Sequence, residues 1–177
     1  LTIEPGVELY FSDGITMSIN GDINAIGTTD NRITFAAENA NWNGMNLYGQ
    51  SYFKYCIIKN VSGMIFDNKI GSHLDLEKCI LTDTSAQIKW ISWGPNENTT
   101  HSIRNSNIVE NISSSLTNNH GDYVYEYTNF INNFGGVSNL TGNATGPLGM
   151  SVTSDNFKYN NIMNNTFNDI GVNPLSV

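Results

Sequence analysis

Charge is scarce in this chain, and basic charge scarcer still: Lys and Arg together number 8 against 16 Asp and Glu, with only 14% of residues charged and a formal net charge of −8. Nucleic acid is bound through clustered Lys and Arg, so this balance argues against a nucleic-acid partner and favours basic or neutral ones. Good helix formers are also few, while Asn, Thr, Ser and Gly abound, so helix should be rare and short strands and turns should dominate. No run approaches the roughly 20 apolar residues that span a bilayer, and no charged-then-apolar leader opens the chain. The first residues, Leu1-Thr2-Ile3-Glu4, already read as a strand, as expected of a mature piece or fragment of a longer chain. Neither His73 nor His101 has metal-ligand spacing around it, and both sit in polar, turn-like stretches, so no metal and no cofactor is expected. With 177 residues and 39% hydrophobic content the chain is long enough to bury a core as a single domain, 1–177.

What is present is a repeat. The phrase Cys56-Ile57-Ile58-Lys59-Asn60 returns as Cys79-Ile80-Leu81-Thr82-Asp83, Asn107-Ile108-Val109-Glu110-Asn111, Asn129-Phe130-Ile131-Asn132-Asn133 and Asn165-Thr166-Phe167-Asn168-Asp169, with copies about 23, 28, 22 and 36 residues apart. Short β-favouring runs repeated at such spacing predict a solenoid of stacked strands. The Gly-containing stretch 135–149 lengthens the last interval and predicts a surface loop there. Upstream, apolar residues two apart in Ile15 to Ile19, Ile23 to Ile26 and Ile33 to Phe35 alternate with Gly and Asp turns, again as strands.

The opening third carries four phrases: Leu1 to Gly6 (LTIEPG), Asn20 to Gly27, Arg32 to Phe35, and Trp42-Asn43-Gly44-Met45. In this it resembles right-handed parallel β-helix domains of secreted and cell-surface proteins, in particular archaeal and bacterial envelope proteins. The resemblance implies an all-β, right-handed parallel β-helix of about seven coils, which at about 4.8 Å per coil gives a rod of roughly 30–35 Å. It also implies a secreted or cell-surface location, which the N-glycosylation triplets at Asn98, Asn139, Asn143 and Asn164 support.

Because side chains alternate along a strand, positions one, three and five of each phrase share a face, which is assigned inward. Position three then forms an apolar file of Ile58, Leu81, Val109, Ile131 and Phe167. Position five, Asn60, Asp83, Asn111, Asn133 and Asp169, is expected to be a structural ladder of amides. Further triplets at Asn60 and Asn111 compete with that assignment, since an inward side chain cannot carry a sugar. At position one, Cys56 and Cys79 become neighbours on successive coils, either as a disulfide or as two packed thiols.

Since right-handed β-helices include pectate lyases and polygalacturonases, a polysaccharide lyase or glycoside hydrolase is the alternative to a non-catalytic role. The only arginines, Arg32 and Arg104, stand in separate phrases without flanking acidic pairs, unlike a calcium-dependent lyase site. Asp75 and Glu77 share one strand face, opposite Leu74 and Leu76, at roughly 6.5–7 Å, near the separation that glycoside hydrolysis uses. His120-Gly121-Asp122 is read as a turn. Aromatics are the stronger functional signal. Trp90, Trp93, Tyr123, Tyr125 and Tyr127 are candidate rings for stacking on sugars, with core packing the competing reading of the same residues. No catalytic residue is assigned. The expected role is a non-catalytic extracellular or cell-envelope module in surface structure, assembly or adhesion, with polysaccharide, other envelope proteins or end-to-end copies of itself as partners.

Overall fold

A computed structural model describes residues 1–68, 72–83, 87–90, 100–110, 116–118, 122–132 and 157–163. Within them every regular element is a strand, and every strand pairing is parallel. The chain visits three sheets in rotation, so consecutive strands never pair with each other and each pairs with its counterpart one coil away. That is a β-solenoid, as the repeat predicts.

The first sheet contains Thr2–Ile3, Ile23–Ile26, Gln50–Lys54, His73–Glu77, Thr100–Arg104, Asp122–Glu126 and Phe157–Lys158. The second contains Glu8–Phe11, Ile33–Ala37, Cys56–Lys59, Ile80–Thr82, Asn107–Val109, Asn129–Ile131 and Asn161–Met163. The third contains Thr16–Ile19, Trp42–Leu47, Val61–Asn68, Gln87–Trp90 and Leu116–Asn118. With five strands in the third sheet, complete three-sided turns among the described residues are fewer than the seven expected. The stretch 135–149 lies outside the described residues.

The core is a set of files running along the rod. In the first sheet Ala25, Phe53, Leu76, Ile103 and Tyr125 follow one another in register, all buried. In the second the buried file is Phe35, Ile58, Leu81, Ile108 and Phe130. Phe53 ties the walls together, meeting Phe35 at 5.8 Å and Phe66 at 5.2 Å between ring centroids. Trp42, from the Trp-Asn-Gly-Met phrase, is fully buried, stacks on Phe11 at 4.2 Å and donates its Nε1–H to the Lys59 carbonyl at 2.9 Å.

This register corrects the phrase alignment. Val109 and Ile131 are not in the inward file; Ile108 and Phe130 are, and Asn107 and Asn129 align with the outward Ile57 and Ile80. The phrase slips by one residue after the second copy because a two-fold side-chain period exchanges the faces at each one-residue shift. Phe167 lies outside the described residues.

Two corners turn the chain by placing one residue per coil in the left-handed backbone region. Tyr55, Lys78, Asn105, Tyr127 and Tyr159 form the corner between the first and second sheets; Asn60, Asp83, Glu110 and Asn132 form the one between the second and third. Bulky residues hold this conformation at a cost, which coil-to-coil backbone bonds offset: the N–H groups of Tyr55, Lys78 and Asn105 each donate at 3.0 Å to a carbonyl of the next coil. Asn60 and Asp83 do stack coil over coil, but at this corner, partly and fully exposed, rather than as an inward amide ladder. Asn111, Asn133 and Asp169 lie outside the described residues. An amide ladder does form, one file away and facing outward: Asn161 Nδ2 donates to Asn129 Oδ1 at 2.8 Å, and Asn129 Nδ2 to Asn107 Oδ1 at 2.7 Å.

Candidate functional site on the outer face of the first sheet

Outward residues of the first sheet form two parallel rows. One runs Asn24, Tyr52, Asp75, Ser102; the other runs Ile26, Lys54, Glu77, Arg104 and Glu126, and the backbone of Lys158 pairs next to Glu126. From Lys54 onward the second row alternates in charge. Lys54 Nζ lies 2.7 Å from Glu77 Oε2, and Arg104 Nε lies 3.3 Å from Glu126 Oε2. Like charges stacked at coil spacing would repel, so alternation is the arrangement a file of charges tolerates.

Asp75 sits at the centre of the first row. Its carboxylate accepts from His73 Nε2 at 2.9 Å and from the Ser102 hydroxyl, and Ser102 Oγ in turn accepts from Arg104 Nη1 at 2.9 Å. Burial alone would raise the Asp75 pKa, but the hydrogen bonds from His73 and Ser102, with the charges of His73 and Arg104, hold it below its ordinary value of 3.8. Asp75 and Glu77 thus share a face opposite the buried Leu74 and Leu76, as the alternation predicts. His73 and His101 are strand residues, not turn residues. His73 opens the strand carrying Asp75, and His101 is buried with its Nδ1 accepting from the Leu74 N–H at 3.1 Å.

Between the two rows runs a trough of about 430 Å³, floored at Phe53 and reaching from Asn24 and Ile26 to Ser102 and Arg104. Ser102 donates directly to Asp75, and His73 lies on the far side of that carboxylate, so the nucleophile, base and orienting acid of acyl transfer are not in sequence. Glycoside hydrolysis pairs one protonated carboxyl with one ionised carboxylate, and the Asp75 surroundings favour the ionised form.

The two cysteines are adjacent on successive coils, buried and unbonded. Their thiols donate to main-chain carbonyls, Cys56 to Ala25 and Lys54 at 3.2 and 3.5 Å, Cys79 to Phe53 and Glu77 at 3.4 Å each. The file continues with buried Ser106, whose hydroxyl reaches the Arg104 carbonyl at 2.8 Å, and buried Thr128, whose hydroxyl reaches Ile103 and Glu126. Asn160 follows, its Nδ2 on the Tyr125 carbonyl at 2.8 Å. All five do the same work, supplying a donor to carbonyls beside the left-handed corner. The Cys79 sulfur and burial together push the Cys56 thiol far above its ordinary range.

Of the aromatic candidates, Tyr125 is a core residue, 1% exposed and edge-on to Phe130, so it is unavailable for stacking on a sugar. Tyr127 is 55% exposed at its corner and stacks on Tyr159 at 4.9 Å. Trp90 ends a third-sheet strand and Tyr123 lies in a first-sheet strand, with neither side chain described. Trp93 and the glycosylation candidates Asn98, Asn139, Asn143 and Asn164 lie outside the described residues, as do His120 and Gly121. Of the site residues missed in the sequence, Lys54, Ser102 and Arg104, two had a signal in it: Lys54, Glu77, Arg104, Glu126 and Lys158 each stand two residues before a member of the Cys56, Cys79, Ser106, Thr128, Asn160 file, with alternating sign. Comparison with known proteins finds no matching family model, no matching curated protein and no matching solved structure, so the functional reading rests on this geometry.

Proposed function

We propose that this chain is a non-catalytic β-solenoid module of an extracellular or cell-envelope protein, acting in surface structure, assembly or adhesion. The observation that carries the reading is that outward polar groups are spent on one another from coil to coil. The Lys54–Glu77 and Arg104–Glu126 pairs, the Asp75 network and the Asn107, Asn129, Asn161 ladder all run along the rod. Such files stiffen the stacking of coils. Secretion rests on the resemblance of the opening phrases and on the N-glycosylation triplets.

The second reading, a polysaccharide lyase or glycoside hydrolase, is favoured by the placement of Asp75 and Glu77 side by side along the trough. Incubation with neutral and uronic-acid polysaccharides, followed by reducing-end and unsaturated-product assays, separates the two. The expected result is no product; product formation abolished by Asp75→Asn or Glu77→Gln refutes the non-catalytic reading.

A further inference from the structure

We infer that the trough on the outer face of the first sheet is a binding site for a neutral, linear oligosaccharide, with the Tyr52 ring as its stacking platform. The inference deepens the adhesion reading above and rests on it. It also moves sugar recognition away from the tyrosines of the strand Asp122–Glu126.

Size admits it: about 430 Å³ falls within the range of about 300–1,000 Å³ that small-molecule sites occupy. Shape favours an extended ligand, because the trough crosses four successive strands, from Asn24 and Ile26 past Tyr52 and Asp75 to Ser102. The lining is two-sided in chemistry. Tyr52, 38% exposed, and Ile26, 48% exposed, offer apolar surface, while the exposed Asn24 amide and the part-exposed Asp75 carboxylate offer hydrogen-bonding groups beside it. A sugar ring presents a face of C–H groups and a rim of hydroxyls, and that pairing matches. His73 packs beside the Tyr52 ring at 5.7 Å, and bonds Asp75 at 2.9 Å, so the platform and its neighbouring acceptor are held by one residue.

Charge decides between neutral and acidic sugars. The cations that line the trough are already engaged, Lys54 by Glu77 and Arg104 by Glu126, and Asp75 is held ionised. An incoming uronate would compete with Glu77 and Glu126 for these cations and face the Asp75 carboxylate, whereas a neutral hydroxyl meets neither penalty.

The test titrates the intact chain with cello-, xylo-, manno- and laminari-hexaose and with hexameric galacturonate, read by calorimetry or by amide chemical shifts. At least one neutral hexaose is expected to bind with a Kd on the order of 1 mM or tighter. Tyr52→Ala should weaken it by about tenfold or more, Tyr52→Phe should retain it, and Tyr127→Ala should leave it unchanged. Circular dichroism of each variant confirms that the coil is intact. Absence of binding by all four neutral hexaoses, equal binding by Tyr52→Ala, or tighter binding of galacturonate overturns the proposal. Cleavage of a bound neutral hexaose would sink the non-catalytic reading while leaving the site in place.

Discussion

Replacing Phe130 and Ile131 one at a time by Ala tests the register on which the whole coil assignment depends. In the phrase alignment Ile131 faces the core; in the structure Phe130 does, fully buried in file with Ile108 and edge-on to Tyr125 at 6.4 Å between centroids. Removing a buried Phe side chain costs about 3–5 kcal/mol, and the lost aromatic pair contributes about 0.5–1.5 kcal/mol of that order. Ile131 lies on the outer side of the same strand, half-buried, so Ile131→Ala should cost no more than about 1 kcal/mol, the span of strand propensity. In a solenoid each coil contacts only its neighbours, so the Phe130 loss weakens both interfaces of its coil. Urea unfolding followed by far-ultraviolet circular dichroism reads the difference. With a slope of about 1–3 kcal/mol/M, Phe130→Ala should lower the midpoint by about 1 M or more, at least about threefold further than Ile131→Ala. A larger shift for Ile131→Ala would return the inward face to the phrase alignment and refute the observed register.

Two more expectations follow from the corner file and the Asp75 network. Cys79→Ser preserves the donor to the Phe53 and Glu77 carbonyls, as Ser106 does one coil on, whereas Cys79→Val removes it; the Val variant should be less stable by about 0.5–1.5 kcal/mol in urea unfolding. Equal stability of the two would show that the thiol serves only as filling. Asp75 has a folded pKa below its ordinary 3.8, so it binds protons more weakly folded than unfolded. Its stabilising contribution is complete above that ordinary value and disappears as pH falls through the lowered one. Thermal midpoints measured from neutrality downward should therefore drop below about pH 4, and Asp75→Asn should flatten that acid limb; an unchanged limb would refute the assignment.

Much of the architecture was legible in the chain itself. Period-two apolar runs, turn residues and copies of one phrase determined strands stacked as a solenoid, because every strand must bury alternate side chains and each copy has only its neighbour to bury them against. The same alternation identified Leu74 and Leu76 as inward and Asp75 and Glu77 as outward, and sequence spacing placed Cys56 beside Cys79.

Register and corners were decided only by the tertiary structure. A match between phrases tolerates a slip of one residue, whereas a packed core does not, so Ile108 and Phe130 displaced Val109 and Ile131. Likewise, nothing in the composition of Tyr125 and Tyr127 distinguishes them; one strand continues and the other residue turns left-handed, which buries the first ring and exposes the second. The trough, the charge file and the Asp75 network join residues from separate coils, more than 20 positions apart in the chain. Their proximity is set by how the coils stack, and local pattern alone does not encode it.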